Sequence, residues 1–286
     1  MGDRANVIVV HENGTHELYR TGWAVGIDLD LLEGPAPVLG MLPELRQDGW
    51  WLDDSMAQGG ILLDLGRKVL LLFAWEGPST ELRHRAATFE LIRAAWPGWD
   101  VRWLYDGPAE LRAHVGLDPE HVRCRDANLG LAPFLAPGDA DLAGPDPGGV
   151  VITVGTGHCH IVSDAFDHPV REGPALLHRL ATAPRHESCH LHVNSGIHLD
   201  PERRHLGWWS LSSTPRAYQV PEAWPGWPGP AGGGRHEAVE SAPCRGPHRV
   251  TPAFGPTRSP PRPPAPRRGR VRGREPGSAA GTSPGR

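Results

Sequence analysis

The sequence predicts an α+β fold in which one unit, antiparallel β-hairpins packed on helices, is used twice in tandem. Three observations predict it. Gly60-Ile61-Leu62-Leu63-Asp64, followed by Arg67-Lys68 and an apolar run to Trp75, returns as Gly196-Ile197-His198-Leu199-Asp200, followed by Arg203-Arg204 and a run ending in Trp208-Trp209. Glu33-Gly34-Pro35-Ala36 opens a Leu-rich stretch, and so does Glu172-Gly173-Pro174-Ala175. Ahead of these stand two strand-like hairpins, Val7–Tyr19 around Asn13-Gly14 and Val150–Val162 around Thr156-Gly157. The offset falls from 143 to 139 to 136 residues along the copy, so order is kept while loop residues are lost. Self-similarity of this kind reports architecture rather than chemistry.

Taken in order, residues 6–11 and 16–21 alternate as strands, and Asn13-Gly14 is a strong tight-turn signal. Pro35 to Arg46 carries Val38, Leu39, Leu42 and Leu45 at helical spacing, and Pro43 shortens or kinks that helix. A Trp-rich segment, Gly49 to Asp54, leads to a second hairpin, Ile61–Asp64 and Val69–Trp75. Glu81 to Trp96 is the best helix, with Leu82, Ala86, Phe89, Leu91, Ile92 and Ala95 clustering on one side. Pro97-Gly98 ends it; Val101–Tyr105 then reads as a strand and Pro108–Val115 as a short helix. The first unit, 5–118, is therefore β-β-α-β-β-α-β-α.

Residues 119–148 read as a Pro, Gly and Asp-rich connection. The second unit, 149–227, repeats β-β (150–165), α (174–182) and β-β (192–210). Ala223-Trp224-Pro225-Gly226-Trp227 then echoes Ala95-Trp96-Pro97-Gly98-Trp99, after which the pattern stops, so this copy is truncated. Pro and Gly make up 24 of the 59 residues from 228 to 286. Two readings fit them: a disordered basic tail, or a reading frame that slips just after Trp227. Lys68 is the single lysine among 29 basic residues, a skew that points to a GC-rich bacterial genome, and out-of-frame GC-rich DNA yields Arg, Pro, Gly and Ala.

Charge divides along the same line. Residues 228–286 hold 11 Arg against 3 Glu, leaving 18 of the 29 basic and 30 of the 33 acidic residues for positions 1–227. An acidic body is a poor general binder of nucleic acid and suits a protein partner with a basic face. The longest apolar run, Val69 to Trp75, fits a buried strand and is too short to cross a membrane. Met1-Gly2-Asp3-Arg4 opens no secretory signal, and Cys124, Cys159, Cys189 and Cys244 lack framework spacing, so a cytoplasmic setting is expected.

The sharpest motif is His186-Glu187-Ser188-Cys189-His190, which satisfies His-Glu-x-x-His. On a helix that pattern puts two imidazoles one turn apart on zinc and lets the glutamate polarise water. Pro184 precedes it and Leu191-His192-Val193 runs into a strand, which is the wrong context. A looser metal site joins His158, His160 and Cys189 on neighbouring strands, against a bland reading of hydrogen-bonded histidines on a half-exposed sheet. Asp64 and Asp200 read as turn residues rather than paired catalytic carboxylates. Trp50-Trp51 and Trp208-Trp209 each place one ring on either side of a strand, so one of each pair is expected in the core and the other on a partner surface. The sequence thus favours a non-enzymatic binding or protein-interaction module without a cofactor. The alternatives are a zinc hydrolase built on His186, Glu187 and His190, and a nucleic-acid contact through the basic tail.

Overall fold

Strands that are apolar at every position, rather than at alternate ones, are buried on both faces and need cover above and below the sheet. β1 (Ala5–Val10), β4 (Gly59–Asp64) and β5 (Val69–Ala74) are of this kind but for Asn6 and Asp64, and are buried throughout. This computed structural model describes residues 4–125, 130–131, 133–136, 149–155, 158–163, 168–186, 193–212 and 217–227. The tail from 228 and most of the connection from 126 to 148 lie outside the described residues. The fold is mixed α+β: two mixed sheets with six α-helices among the described residues.

The first sheet has the order β3-β2-β1-β4-β5-β6, with β2 (His16–Thr21), β3 (Arg46–Gln47) and β6 (Asp100–Trp103) completing it. The hairpin β1–β2 turns where expected: Gly14 takes φ 82°, and Asn13 Oδ1 accepts from the Thr15 N–H at 3.0 Å. Hairpins are antiparallel within themselves, but they join in parallel, β1 to β4 and β5 to β6. Parallel neighbours need a crossover. The first crossover carries α1 (Ile27–Asp30) and α2 (Pro35–Met41); the second carries α3 (Leu82–Ala95). Pro43 stops α2 early, and a single 3-10 turn, Leu42–Glu44, replaces the expected continuation to Arg46. Helices α1 to α3 cover one face, on which Val7, Val9, Ile61, Leu63, Leu70 and Leu72 meet Phe89, Ile92 and Trp96. α4 (Pro108–His114) and Leu52 cover the other, against Ile8, Leu62, Leu71 and Phe73.

The second sheet has the order β10-β9-β7-β8, formed by β7 (Gly149–Val154), β8 (His158–Ser163), β9 (Val193–Asp200) and β10 (His205–Ser210). Its connectivity follows the first sheet's central four strands: antiparallel hairpin, parallel β7–β9, antiparallel hairpin. α5 (Ala175–Thr182) and α6 (Val220–Ala223) cover one face.

Individual residues match across the two sheets. Gly60 pairs with Phe73 and Gly196 with Trp209, each glycine lying under the ring opposite it. Asp64 Oδ1 accepts from the Arg67 N–H at 2.9 Å, and Asp200 Oδ1 from the Arg203 N–H at 3.0 Å. The next residues, Lys68 and Arg204, are the non-glycines among the described residues that hold a positive φ, 53° and 51°. The indole N–H of Trp96 donates to the Leu31 carbonyl at 2.6 Å, and that of Trp224 to the Val170 carbonyl at 2.5 Å.

Both sheets lie in one compact unit. Leu82, the first residue of α3, packs on Val151, Cys159, Val193, Trp209 and Leu211 of the second sheet. Arg85, one turn later, donates to the Leu211 carbonyl at 2.9 Å. Tyr218 donates its hydroxyl to the Cys124 carbonyl at 3.1 Å, with the Arg123 guanidinium 4.4 Å from its ring centre. Burial first of all, and then Asp54, push the Tyr218 phenol up to about 12.

Candidate functional site

The polar groups singled out by sequence fall into three places. His186 is bridge-paired with Cys159 in an extended segment: its N–H donates to the Cys159 carbonyl at 2.9 Å, and the Cys159 thiol donates to the His186 carbonyl at 3.1 Å. The His186 ring donates from Nε2 to the Leu135 carbonyl at 2.9 Å, which commits that nitrogen to the fold. Glu187, Cys189 and His190 lie outside the described residues, as does the side chain of His158. His160 donates from Nδ1 to the Pro184 carbonyl at 2.8 Å. Among the described residues no three His, Cys, Asp or Glu groups stand together as a metal set.

A second group is deeply buried. His168 Nδ1 accepts from the Val170 N–H at 3.3 Å, and its Nε2–H donates to the Ser195 hydroxyl. Ser195 in turn donates to the Trp209 carbonyl at 2.7 Å. The Val170 N–H on Nδ1 leaves the ring proton on Nε2, which fixes the neutral tautomer. Burial pushes the His168 imidazole down to about 3. The arrangement resembles a nucleophile and its base only in composition: Ser195 is 2% exposed and its hydroxyl proton is committed to a carbonyl. Thr153 and His198 Nδ1, 2.6 Å apart, form another buried pair. Asp64 and Asp200 are turn residues. Burial acts to raise Asp64, but the Arg67 N–H and His114, 2.9 Å from its Oδ2, hold it below the usual carboxylate range.

The tryptophan pairs require a correction. Trp208 and Trp209 are 1% and 0% exposed, so neither ring of that pair reaches a partner. The expectation assumed a sheet with one wet face, whereas β10 is covered on one side by α5, α6 and Val170 and on the other by Leu82. Trp51 is half-buried beneath the Arg112 guanidinium, 5.1 Å from its ring centre. Trp50 is 55% exposed, and Trp23, which carried no pair signal in the sequence, is 80% exposed. Of the seven large apolar side chains exposed among the described residues, five (Trp23, Val25, Leu29, Met41 and Trp50) lie in the stretch from 23 to 50.

A recess of about 450 Å³ opens beside Trp50, lined by Arg4, Arg20, Thr21, Gly22, Arg46, Trp50 and Met56. Sheet pairing assembles it. Gln58 ties Arg4 down through its N–H and carbonyl, at 3.1 and 2.8 Å. Arg20 and Arg46 are direct partners across β2 and β3. Asp48 bonds Arg20 at 2.9 Å, approaches Arg46 at 3.6 Å, and accepts the Trp50 N–H at 3.1 Å. Arg20 lies 5.9 Å from the Trp50 ring centre. No local pattern marks this grouping, since its arginines are far apart along the chain. No helix among the described residues is long and apolar enough to cross a membrane. Comparison with known proteins found no family model that matches the chain, no similar curated protein and no similar solved structure.

Proposed function

We propose that this chain is a non-enzymatic protein-interaction module, made of two copies of one unit, that binds through the first copy. The observation that carries the reading is the concentration of exposed apolar side chains at Trp23, Val25, Leu29, Met41 and Trp50. Two of the five are tryptophans, a residue type enriched at the centres of interaction surfaces. The polar chain around His168 and Ser195, by contrast, is buried and has its protons committed within the fold. The acidic balance of residues 1–227 matches a partner with a basic face, and the cysteine spacing suits a cytoplasmic setting.

The duplication is supported by the matched strand order and by residue pairs in the same roles: Gly60 and Gly196, Asp64 and Asp200, Lys68 and Arg204, Trp96 and Trp224. We divide the chain into units at 5–118 and 149–227, a connection at 119–148, and a segment at 228–286 that we read as out of frame. In the first unit Trp99 leads directly into β6, and the matching position is Trp227. Reading the coding DNA past the Trp227 codon tests this: a shifted frame should encode a strand and helix like Asp100 to Val115. An intact frame with no such continuation in any other overturns it.

The interaction reading is tested by affinity capture from the source organism with wild type, Trp23→Ser/Leu29→Ser and His186→Ala, each first shown to be folded by circular dichroism. A partner retained by wild type and His186→Ala but lost by the double variant is expected. Equal capture by all three, or a hydrolytic activity lost in His186→Ala, overturns it.

A further inference from the structure

The arginine-lined recess has the opposite sign to the body around it. Residues 1–227 hold 30 acidic against 18 basic groups, yet Arg4, Arg20 and Arg46 share the recess with one carboxylate, Asp48. Arg4 has no carboxylate partner among the described residues. Like charges directly opposite one another across two strands are destabilising, and Arg20 and Arg46 are so placed. The fold does not need the pair: β3 is two residues long at the sheet edge, and the Arg46 side chain is 73% exposed. A surplus of two guanidinium charges is what one dianion neutralises. A phosphate monoester carries about −1.5 to −2 near pH 7, and its oxygens match the fork of an arginine.

The recess is also larger than a phosphate requires and falls in the range of small-molecule sites, roughly 300–1,000 Å³. Its wall beyond the arginines is Trp50, an aromatic residue 55% exposed, on which a second flat group can stack. Thr21 Oγ1 already accepts the Trp23 N–H at 3.1 Å, leaving its own O–H to donate into the recess. We infer that the recess binds a phosphate monoester carrying a planar ring, the chemistry of a mononucleotide, with its phosphate on Arg4, Arg20 and Arg46 and its ring on Trp50. The acidic body repels a long polyanion, which favours a single nucleotide over a nucleic-acid strand. This site goes beyond the protein-partner reading and shares Trp50 with it, so Arg46→Ala, which leaves Trp23 and Leu29 in place, separates the two.

Isothermal titration of the full chain with AMP, inorganic phosphate, adenosine and a 5′-phosphorylated octanucleotide tests the site, alongside Arg46→Ala and Trp50→Ala. AMP is expected to bind about tenfold or more tightly than phosphate or adenosine. Arg46→Ala should weaken AMP by a similar factor, and Trp50→Ala should erase the preference for AMP over phosphate while melting as wild type does. No AMP binding at millimolar concentration, phosphate binding as tightly as AMP, an undiminished Arg46→Ala, or tighter binding of the octanucleotide overturns the proposal. None of these outcomes bears on capture of a protein by Trp23 and Leu29.

Discussion

Gly60 and Gly196 sit where the ring of the residue opposite leaves no room for a methyl group. A Cβ at Gly60 would stand 2.4 Å from Phe73 Cε1, and one at Gly196 would stand 2.5 Å from Trp209 Nε1. Gly60→Ala and Gly196→Ala should each destabilise the chain by about 1–3 kcal/mol, the usual cost of overpacking, measured by urea unfolding. His168 makes a second prediction. Its imidazole titrates near 3 in the fold and near 6.5 when free, so the unfolded chain binds the extra proton first. The stability tied to this residue is whole above about 6.5 and is lost as pH falls towards 3, with a slope of about 1.4 kcal/mol per unit. Unfolding of His168→Gln, followed from pH 7 to pH 4, should lack that slope. An unchanged slope would show that His168 is not the group that titrates.

The β4–β5 and β9–β10 turns each force one non-glycine residue into the left-handed region, at Lys68 and Arg204. Glycine adopts that region freely. Lys68→Gly and Arg204→Gly should therefore each stabilise the protein, by about 0.5–1 kcal/mol once the greater freedom of unfolded glycine is subtracted; a loss of stability on thermal unfolding would contradict the turn account. At the start of α3, Leu82 and Arg85 tie the first sheet's helix to the second sheet. Leu82→Ala should cost about 1–2 kcal/mol, less than full core truncation because the side chain is only partly buried, and should speed amide exchange in β9 and β10 ahead of β4 and β5.

Most elements were legible because their signals are local. Asn13-Gly14 marked the first turn, the spacing of Phe89 and Ile92 marked α3, and Pro43 marked the end of α2. The parallel joins of β1 to β4 and β7 to β9 were not, because a partner reached through a crossover leaves no pattern in either strand. Trp208 and Trp209 misled for a related reason: alternation assigns one side of a strand to solvent, and here tertiary packing covers both.

Across the whole molecule, the burial of polar chemistry and the exposure of apolar surface point the same way. His168, Ser195, Thr153 and His198 are locked inside the second sheet, while Trp23, Leu29 and Trp50 stand in water on the first unit. The recess escaped the sequence because Arg4, Arg20 and Arg46 meet only when β2 pairs with β3 and Gln58 holds the chain before β1. Trp23 escaped because a lone aromatic has no neighbour to set its orientation.

The claim that this chain works by binding through its first unit is tested most directly by site-specific photocrosslinking in the source cell. A photoreactive residue is placed at Trp23, and a control at Glu202, which is exposed in the β9–β10 turn. The account predicts one discrete crosslinked protein from position 23 and none from position 202. No crosslink at 23, or the same species from both positions, would contradict it.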